Sequence, residues 1–177
     1  MFACCRRCAP PRQSVRLEHS PRLGVDDPVQ AAYGQALKLL ARREHCHGEL
    51  RLKLLQRGMA EAHIAAALEQ LVAHGYLSDR RYAQARVTEL LRRRYGPLRA
   101  QAELRAHGVD HDTIAEVLDL EQTDWYAACS EVRKSKFGRA PPSSAVERRR
   151  QQRHLQARGF TSGQIRRALG NPRSNDA

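Results

Sequence analysis

Large aromatic side chains are nearly missing from this chain. One Trp, three Phe and five Tyr make up 5% of its 177 residues, while Ala and Leu dominate the apolar fraction of 41%. Thin helical layers suit that composition better than the core of a β-sandwich. No apolar run approaches the ~18 residues that cross a bilayer. The first thirty residues also lack the apolar stretch of ~7 to 15 residues found in a secretory signal, so the expectation is a cytoplasmic protein without a membrane partner. Acids are scarce too: 19 Asp and Glu face 31 Lys and Arg, for a net charge of +12. That imbalance implies an anionic partner.

Catalytic motifs are equally absent. There is no Ser/His/Asp set, Walker loop, Gly-rich dinucleotide turn or zincin helix. Five cysteines, an odd number, argue against a disulfide framework and for reduced thiols. Cys4, Cys5 and Cys8 invite a zinc reading, but a second pair at matching spacing is missing. His45, Cys46 and His47 are the remaining metal candidates for an enzyme, although His45 and His47 would point to different sides of a helix. The expectation is a non-catalytic protein with no cofactor and no metal.

What the chain does have is a repeat. Leu54, Gly58, Ile64 and Leu68 return as Leu104, Gly108, Ile114 and Leu118, and again as Leu155, Gly159, Ile165 and Leu169. A period of about 50 residues means tandem supersecondary units. If each Gly is the left-handed residue just past a helix end, the Leu four positions earlier is the site on which the next apolar residue, Met59, Val109 or Phe160, packs back. Ile and Leu four apart then share one face of the following helix. Gly75, with Tyr76 after it and Leu71 before it, repeats the termination a fourth time.

The chain therefore divides into a disordered arm over 1–27, three-helix repeats over 28–76, 77–121 and 122–170, and a frayed tail over 171–177. The fold class is all-α, three tandem three-helix repeats. Asp27 caps the first helix, which begins at Pro28 and runs to about His45. Ser78 or Asp79 caps the fourth. Gly96 is expected to stop that helix and Pro97 to start the next, and Asp110 to cap the sixth. Trp125, Ala128, Cys129 and Val132 form the core stripe of the third repeat. A Pro-rich insertion over 139–144 precedes a capping box of Ser144 and Glu147, and Thr161 with Gln164 makes another.

The charge is uneven. From Arg133 to Arg167 there are eleven Lys and Arg against the single acid Glu147, a net +10 out of the whole chain's +12. Arg92, Arg93, Arg94 and Arg99 flank the Gly96-Pro97 break, and Arg148, Arg149, Arg150, Arg153 and Arg158 stud the helix after the insertion. Three consecutive arginines spread over about 200° of a helix, so one surface cannot use them all equally. Direct binding to nucleic acid by such a surface would be mainly electrostatic. A helix-turn-helix reading would need basic residues on the last helix of a repeat, and only Gln164, Arg166 and Arg167 suit it.

Taken together, Arg43-Glu44-His45 leading into Glu49-Leu50, Lys53-Leu54 and Arg57-Gly58, then Gly75-Tyr76-Leu77-Ser78-Asp79, Tyr82-Ala83, Tyr95-Gly96-Pro97, His107-Gly108-Val109, Phe137-Gly138 and Arg158-Gly159-Phe160 resemble the bacterial regulatory protein RecX family. The likeness spans about Ala36 to Leu169; the Cys-rich leader has no family counterpart. The resemblance implies that the three repeats form an elongated, curved array, and that the protein binds the recombinase RecA and its filament on single-stranded DNA. It also implies restraint of the ATPase, recombinase and co-protease activities of RecA, hence a place in homologous recombination, DNA repair and the SOS response. A monomer with weak direct DNA contact is expected. A DNA-binding helical protein acting through a basic C-terminal repeat is the alternative.

Overall fold

The computed structural model describes residues 27–120 and 124–170. The Cys4, Cys5 and Cys8 cluster and the expected tail over 171–177 lie outside the described residues. The helices are α1 (Pro28–Leu40), α2 (His47–Leu55), α3 (Glu61–Ala73), α4 (Asp79–Arg92), α5 (Pro97–Ala106), α6 (His111–Leu120), α7 (Trp125–Phe137), α8 (Ala145–Ala157) and α9 (Ser162–Ala168), and no strand is found among the described residues. Every extensively packed helix pair lies within one group of three. Each group has its own buried cluster, built on Leu50, Leu54, Ile64 and Leu68 in the first, on Val87, Leu104, Ile114 and Val117 in the second, and on Cys129, Leu155, Phe160 and Ile165 in the third.

The recurring skeleton is scaffold. Leu54, Leu104 and Leu155 are fully buried, and the N–H groups of Met59, Val109 and Phe160 donate to their carbonyls at 3.3, 3.1 and 3.2 Å. Gly58, Gly108 and Gly159 have φ of 78°, 82° and 82°, a left-handed conformation that costs any residue with a Cβ about 1–2 kcal/mol. The Gly75 turn has the same bonds, with the Tyr76 N–H 2.9 Å from the Leu71 carbonyl. Tyr76 is nevertheless exposed, and Leu77 fills the expected apolar place.

A fifth termination closes α4, and here the structure departs from expectation. The stop residue is Arg94, with φ of 64°, and the Tyr95 N–H reaches the Leu90 carbonyl at 2.9 Å. Gly96 has an ordinary φ of −92° and caps the start of α5. Glycine is needed there for a different reason: a Cβ on Gly96 would lie 2.6 Å from the Gly159 carbonyl carbon and 2.7 Å from the Phe160 nitrogen. The Gly96 and Leu98 N–H groups donate to the carbonyls of Arg158 and Gly159 at 2.8 and 3.0 Å. The open end of α8 thus meets the open start of α5, so each satisfies backbone groups the other helix leaves unpaired. The first junction is similar: Gly48 at the start of α2 approaches the His107 carbonyl at the end of α5, to which the Cys46 thiol donates at 3.2 Å.

Other expectations change for similarly local reasons. The first helix ends at Leu40 rather than near His45, and Ala41 caps it. Trp125 begins the third repeat but packs against the second repeat's core. Ser144 does accept from the Glu147 N–H, but the Glu147 carboxylate turns back to the N–H and hydroxyl of Ser143, one residue before the expected partner. The Thr161–Gln164 box closes fully. Asp27, Ser78 and Asp110 all accept from the N–H groups of their helices. Arg133, which counts only as charge in the sequence, is buried and donates to the carbonyls of Ala140 and Arg139 at 2.8 and 3.0 Å, pinning the insertion to α7.

Two glycine substitutions separate the two roles. Gly58→Ala meets open space around the new methyl and carries only the left-handed penalty of about 1–2 kcal/mol. Gly96→Ala carries no such penalty but must push the α5 and α8 backbones apart, a cost of roughly 2–3 kcal/mol by analogy with overpacking. Urea unfolding followed by circular dichroism is expected to rank Gly96→Ala as the more damaging.

Candidate functional site

Three of the basic residues, Arg93, Arg99 and Arg158, come together at the junction of the second and third repeats. Arg93 and Tyr95 follow α4, Arg99 lies in the first turn of α5, and Arg158 caps α8. Their guanidinium carbons stand 5.8, 5.4 and 5.2 Å, for Arg93, Arg99 and Arg158, from the centre of the Tyr95 ring. A ring face attracts cations, which offsets some of the repulsion among three of them. Arg158 also donates to the Arg93 carbonyl at 3.1 Å, tying two sequence segments 65 residues apart.

Beside this cluster lies a cleft of about 240 Å³ lined by Arg94, Val132, Ser135, Lys136, His154 and Arg158. It shares Arg94, Val132 and Ser135 with an adjoining groove that also takes in Arg92, Tyr95 and Glu131. Glu131 is engaged by Lys134 at 2.9 Å, and Arg92 pairs with Glu89. Burial, with the charges of Arg158 and Lys136 behind it, holds the His154 imidazole below its ordinary pKa. The His154–Arg158 pairing at i, i+4 is open to sequence reasoning. Lys136 carries no such signal, because it reaches the cleft from α7 across the insertion.

On α8 the arginines diverge as helical geometry requires. Arg148 donates to the carbonyls of Leu169 and Gly170 at 3.3 and 2.5 Å, so its guanidinium serves the end of α9. Arg150 stands over the Phe137 ring at 5.8 Å, which also meets the His154 ring edge-on at 5.4 Å. Arg149 and Arg153, one turn apart, are exposed. Arg167 covers the Tyr126 ring at 4.8 Å, and Arg166 is exposed. The residues that alone suit a helix-turn-helix reading do not form a reading face: Gln164 is buried and accepts from the Thr161 N–H at 2.8 Å, and α9 has only seven residues.

The His45, Cys46 and His47 set has other occupations. His45 is buried with Nδ1 2.9 Å from Glu49, Cys46 accepts from the Glu49 N–H as the cap of α2, and the His47 N–H donates to Asp79 at 2.7 Å. No grouping of three metal-binding side chains occurs among the described residues. His45 is thus a buried residue paired with Glu49 rather than a metal ligand. Around Glu49, burial pushes the carboxyl up, but hydrogen bonds from Arg43 and His45 outweigh it and bring the pKa down to about 2. Among the described residues no helix is long and apolar enough to cross a membrane.

Two predictions separate structural charges from free ones. Because the Glu49 pKa is lowered on folding, its contribution is whole above the ordinary carboxylate range and is lost as pH falls through about 2. The urea midpoint of the wild type is expected to fall more between pH 5 and pH 2 than that of Glu49→Gln. Arg158→Ala, which frees the Arg93 carbonyl, should cost roughly 1–2 kcal/mol, whereas Arg149→Ala and Arg153→Ala should stay within about 0.5 kcal/mol of wild type in the same measurement.

Comparison with known proteins bears on all of this. The chain matches the family models described as "RecX, first three-helix domain" over residues 32–71, "RecX, second three-helix domain" over 78–118 and "RecX, third three-helix domain" over 122–169. A regulatory protein RecX from Halorhodospira halophila is 41% identical over 139 residues, covering 78% of this chain and 86% of that protein. Another from Pseudomonas savastanoi pv. phaseolicola is 40% identical over 152 residues, covering 86% and 97%. Among solved structures, RecX from Lactobacillus salivarius superposes with a TM-score of 0.68 at 20% identity, over 78% of this chain and 92% of that one.

Proposed function

The chain belongs to the RecX family of regulatory proteins, and on that premise we propose that it binds the recombinase RecA and the RecA filament on single-stranded DNA, restraining its ATPase, recombinase and co-protease activities. It acts without chemistry of its own, as a cytoplasmic monomer that occupies filament surface. The observation that supports this reading is the convergence of Arg93, Arg99 and Arg158 on Tyr95 at the second junction. A string of small repeats offers a long surface, and the exposed Arg149 and Arg153 extend the basic zone along α8. Charge of this kind steers encounter and selects partners more than it adds affinity. Arg148, committed to the end of α9, is left out of the proposed contact.

The test is single-strand-dependent ATP hydrolysis by RecA with substoichiometric protein, beside binding to naked DNA across a salt series. Strong inhibition of RecA is expected. Arg149→Glu with Arg153→Glu should weaken that inhibition about tenfold, on the order of 1.4 kcal/mol, while circular dichroism stays helical. Tight binding to naked DNA with no effect on RecA would favour the direct nucleic-acid reading instead.

A further inference from the structure

We propose that the cleft lined by Arg94, Ser135, Lys136, His154 and Arg158 is an oxyanion site that seats a phosphodiester of single-stranded DNA between the second and third repeats. The inference rests on the filament reading above only for the source of its ligand.

Three observations point the same way. The cleft has no carboxylate in its lining among the described residues, and Glu131 of the adjoining groove is paired with Lys134. No lining residue therefore offers a negative charge to these cations, Arg94 being the one that also feels Glu131 of the adjoining groove; His154, disfavoured as a cation first by burial, is further opposed by Arg158 and Lys136. Arg94 supplies the second observation. Of five helix terminations with the same hydrogen bonds among the described residues, four place Gly at the left-handed position and only this one places Arg. Glycine would relax the backbone there, and non-Gly residues held in sparsely populated conformations cluster at sites of function. The Arg94 side chain lines both the cleft and the adjoining groove.

Donor geometry is the third. Arg94 approaches from the end of α4, Ser135 and Lys136 from α7, and His154 and Arg158 from α8. Donors on three separate elements can each give a charge-assisted hydrogen bond to phosphate oxygens that point in different directions. Arg158 gives one nitrogen to the Arg93 carbonyl and keeps its remaining N–H groups for a ligand. Exposed Arg94, Ser135 and Lys136 leave the cleft open at one side, and the groove beyond continues past Arg92. A polymer with regularly spaced phosphates can pass through such a site.

The experiment uses the full chain. Binding of a fluorescein-labelled oligo-dT is followed by anisotropy across a salt series for wild type, Arg94→Gly and Lys136→Gln, with thermal unfolding of each. Arg94→Gly is expected to bind about tenfold more weakly and to lower the salt slope by about one, with a Tm equal to or above wild type. Lys136→Gln, on an exposed position, should weaken binding likewise and guards against a folding defect at Arg94. The His154 pKa, read by NMR, should rise on adding oligo-dT, since a bound anion opposes the field of Lys136 and Arg158.

Unchanged DNA binding by both variants would overturn the proposal. So would displacement of oligo-dT by a polyglutamate peptide at equal charge concentration, which would make the cleft a seat for acidic protein. Response to inorganic phosphate but not to oligo-dT would likewise exclude the strand. RecA inhibition measured in parallel keeps the two readings apart: inhibition with unaltered DNA binding in the variants removes the cleft alone, whereas a working cleft with no effect on RecA removes the filament role alone.

Discussion

The whole array depends on a bare backbone contact between the start of one middle helix and the end of the next. At the second junction Gly96 and Leu98 give their N–H groups to the carbonyls of Arg158 and Gly159, and there is no room for a Cβ on either glycine. Helix starts lack acceptors and helix ends lack donors, so setting one on the other satisfies both and brings the negative end of one helix dipole to the positive end of the other. Extensive helix packing occurs only within each repeat. Small contacts of this kind therefore decide how one repeat sits on its neighbour, with Cys46 donating to the His107 carbonyl in the corresponding place at the first junction.

That contact has an electrostatic consequence. Bringing the end of α8 to the start of α5 also brings Arg158 to Arg93 and Arg99, three like charges in one place. The Tyr95 ring and the Arg93 carbonyl stabilise the cluster, but neither carries a negative charge. Positive potential remains at the junction and extends into the cleft with Lys136 and His154. The same abutment that fixes the repeats thus produces the strongest reason to look there for an anionic ligand.

Much of the scaffold is legible in the chain because it is locally specified. A left-handed stop with an apolar residue after it and a Leu four before it is a six-residue rule, and it locates the terminations at Gly58, Gly75, Gly108 and Gly159. Caps at Asp27, Ser78, Asp110 and Thr161 obey rules of similar range. Gly96 reads wrongly as a stop because a Gly before a Pro resembles one, whereas its real constraint is a backbone 63 residues away. Arg94 does not read as the stop because an arginine in that conformation runs against preference. Within the candidate site, the abundance of arginine is plain, but the division of labour among Arg148, Arg149 and Arg150 is not.

By itself, then, the sequence determined the helices, most of their ends, the threefold repetition, the family resemblance and the concentration of positive charge, since each follows from interactions within a few residues or from composition. Only the tertiary structure decided which glycine serves a turn and which a contact. It also decided which histidine is buried, which arginines are tied to carbonyls or rings, and that Arg94, Lys136, His154 and Arg158 share one cleft. The reason is distance along the chain: these outcomes depend on groups separated by tens of residues, whose meeting is set by how the repeats abut rather than by any local preference.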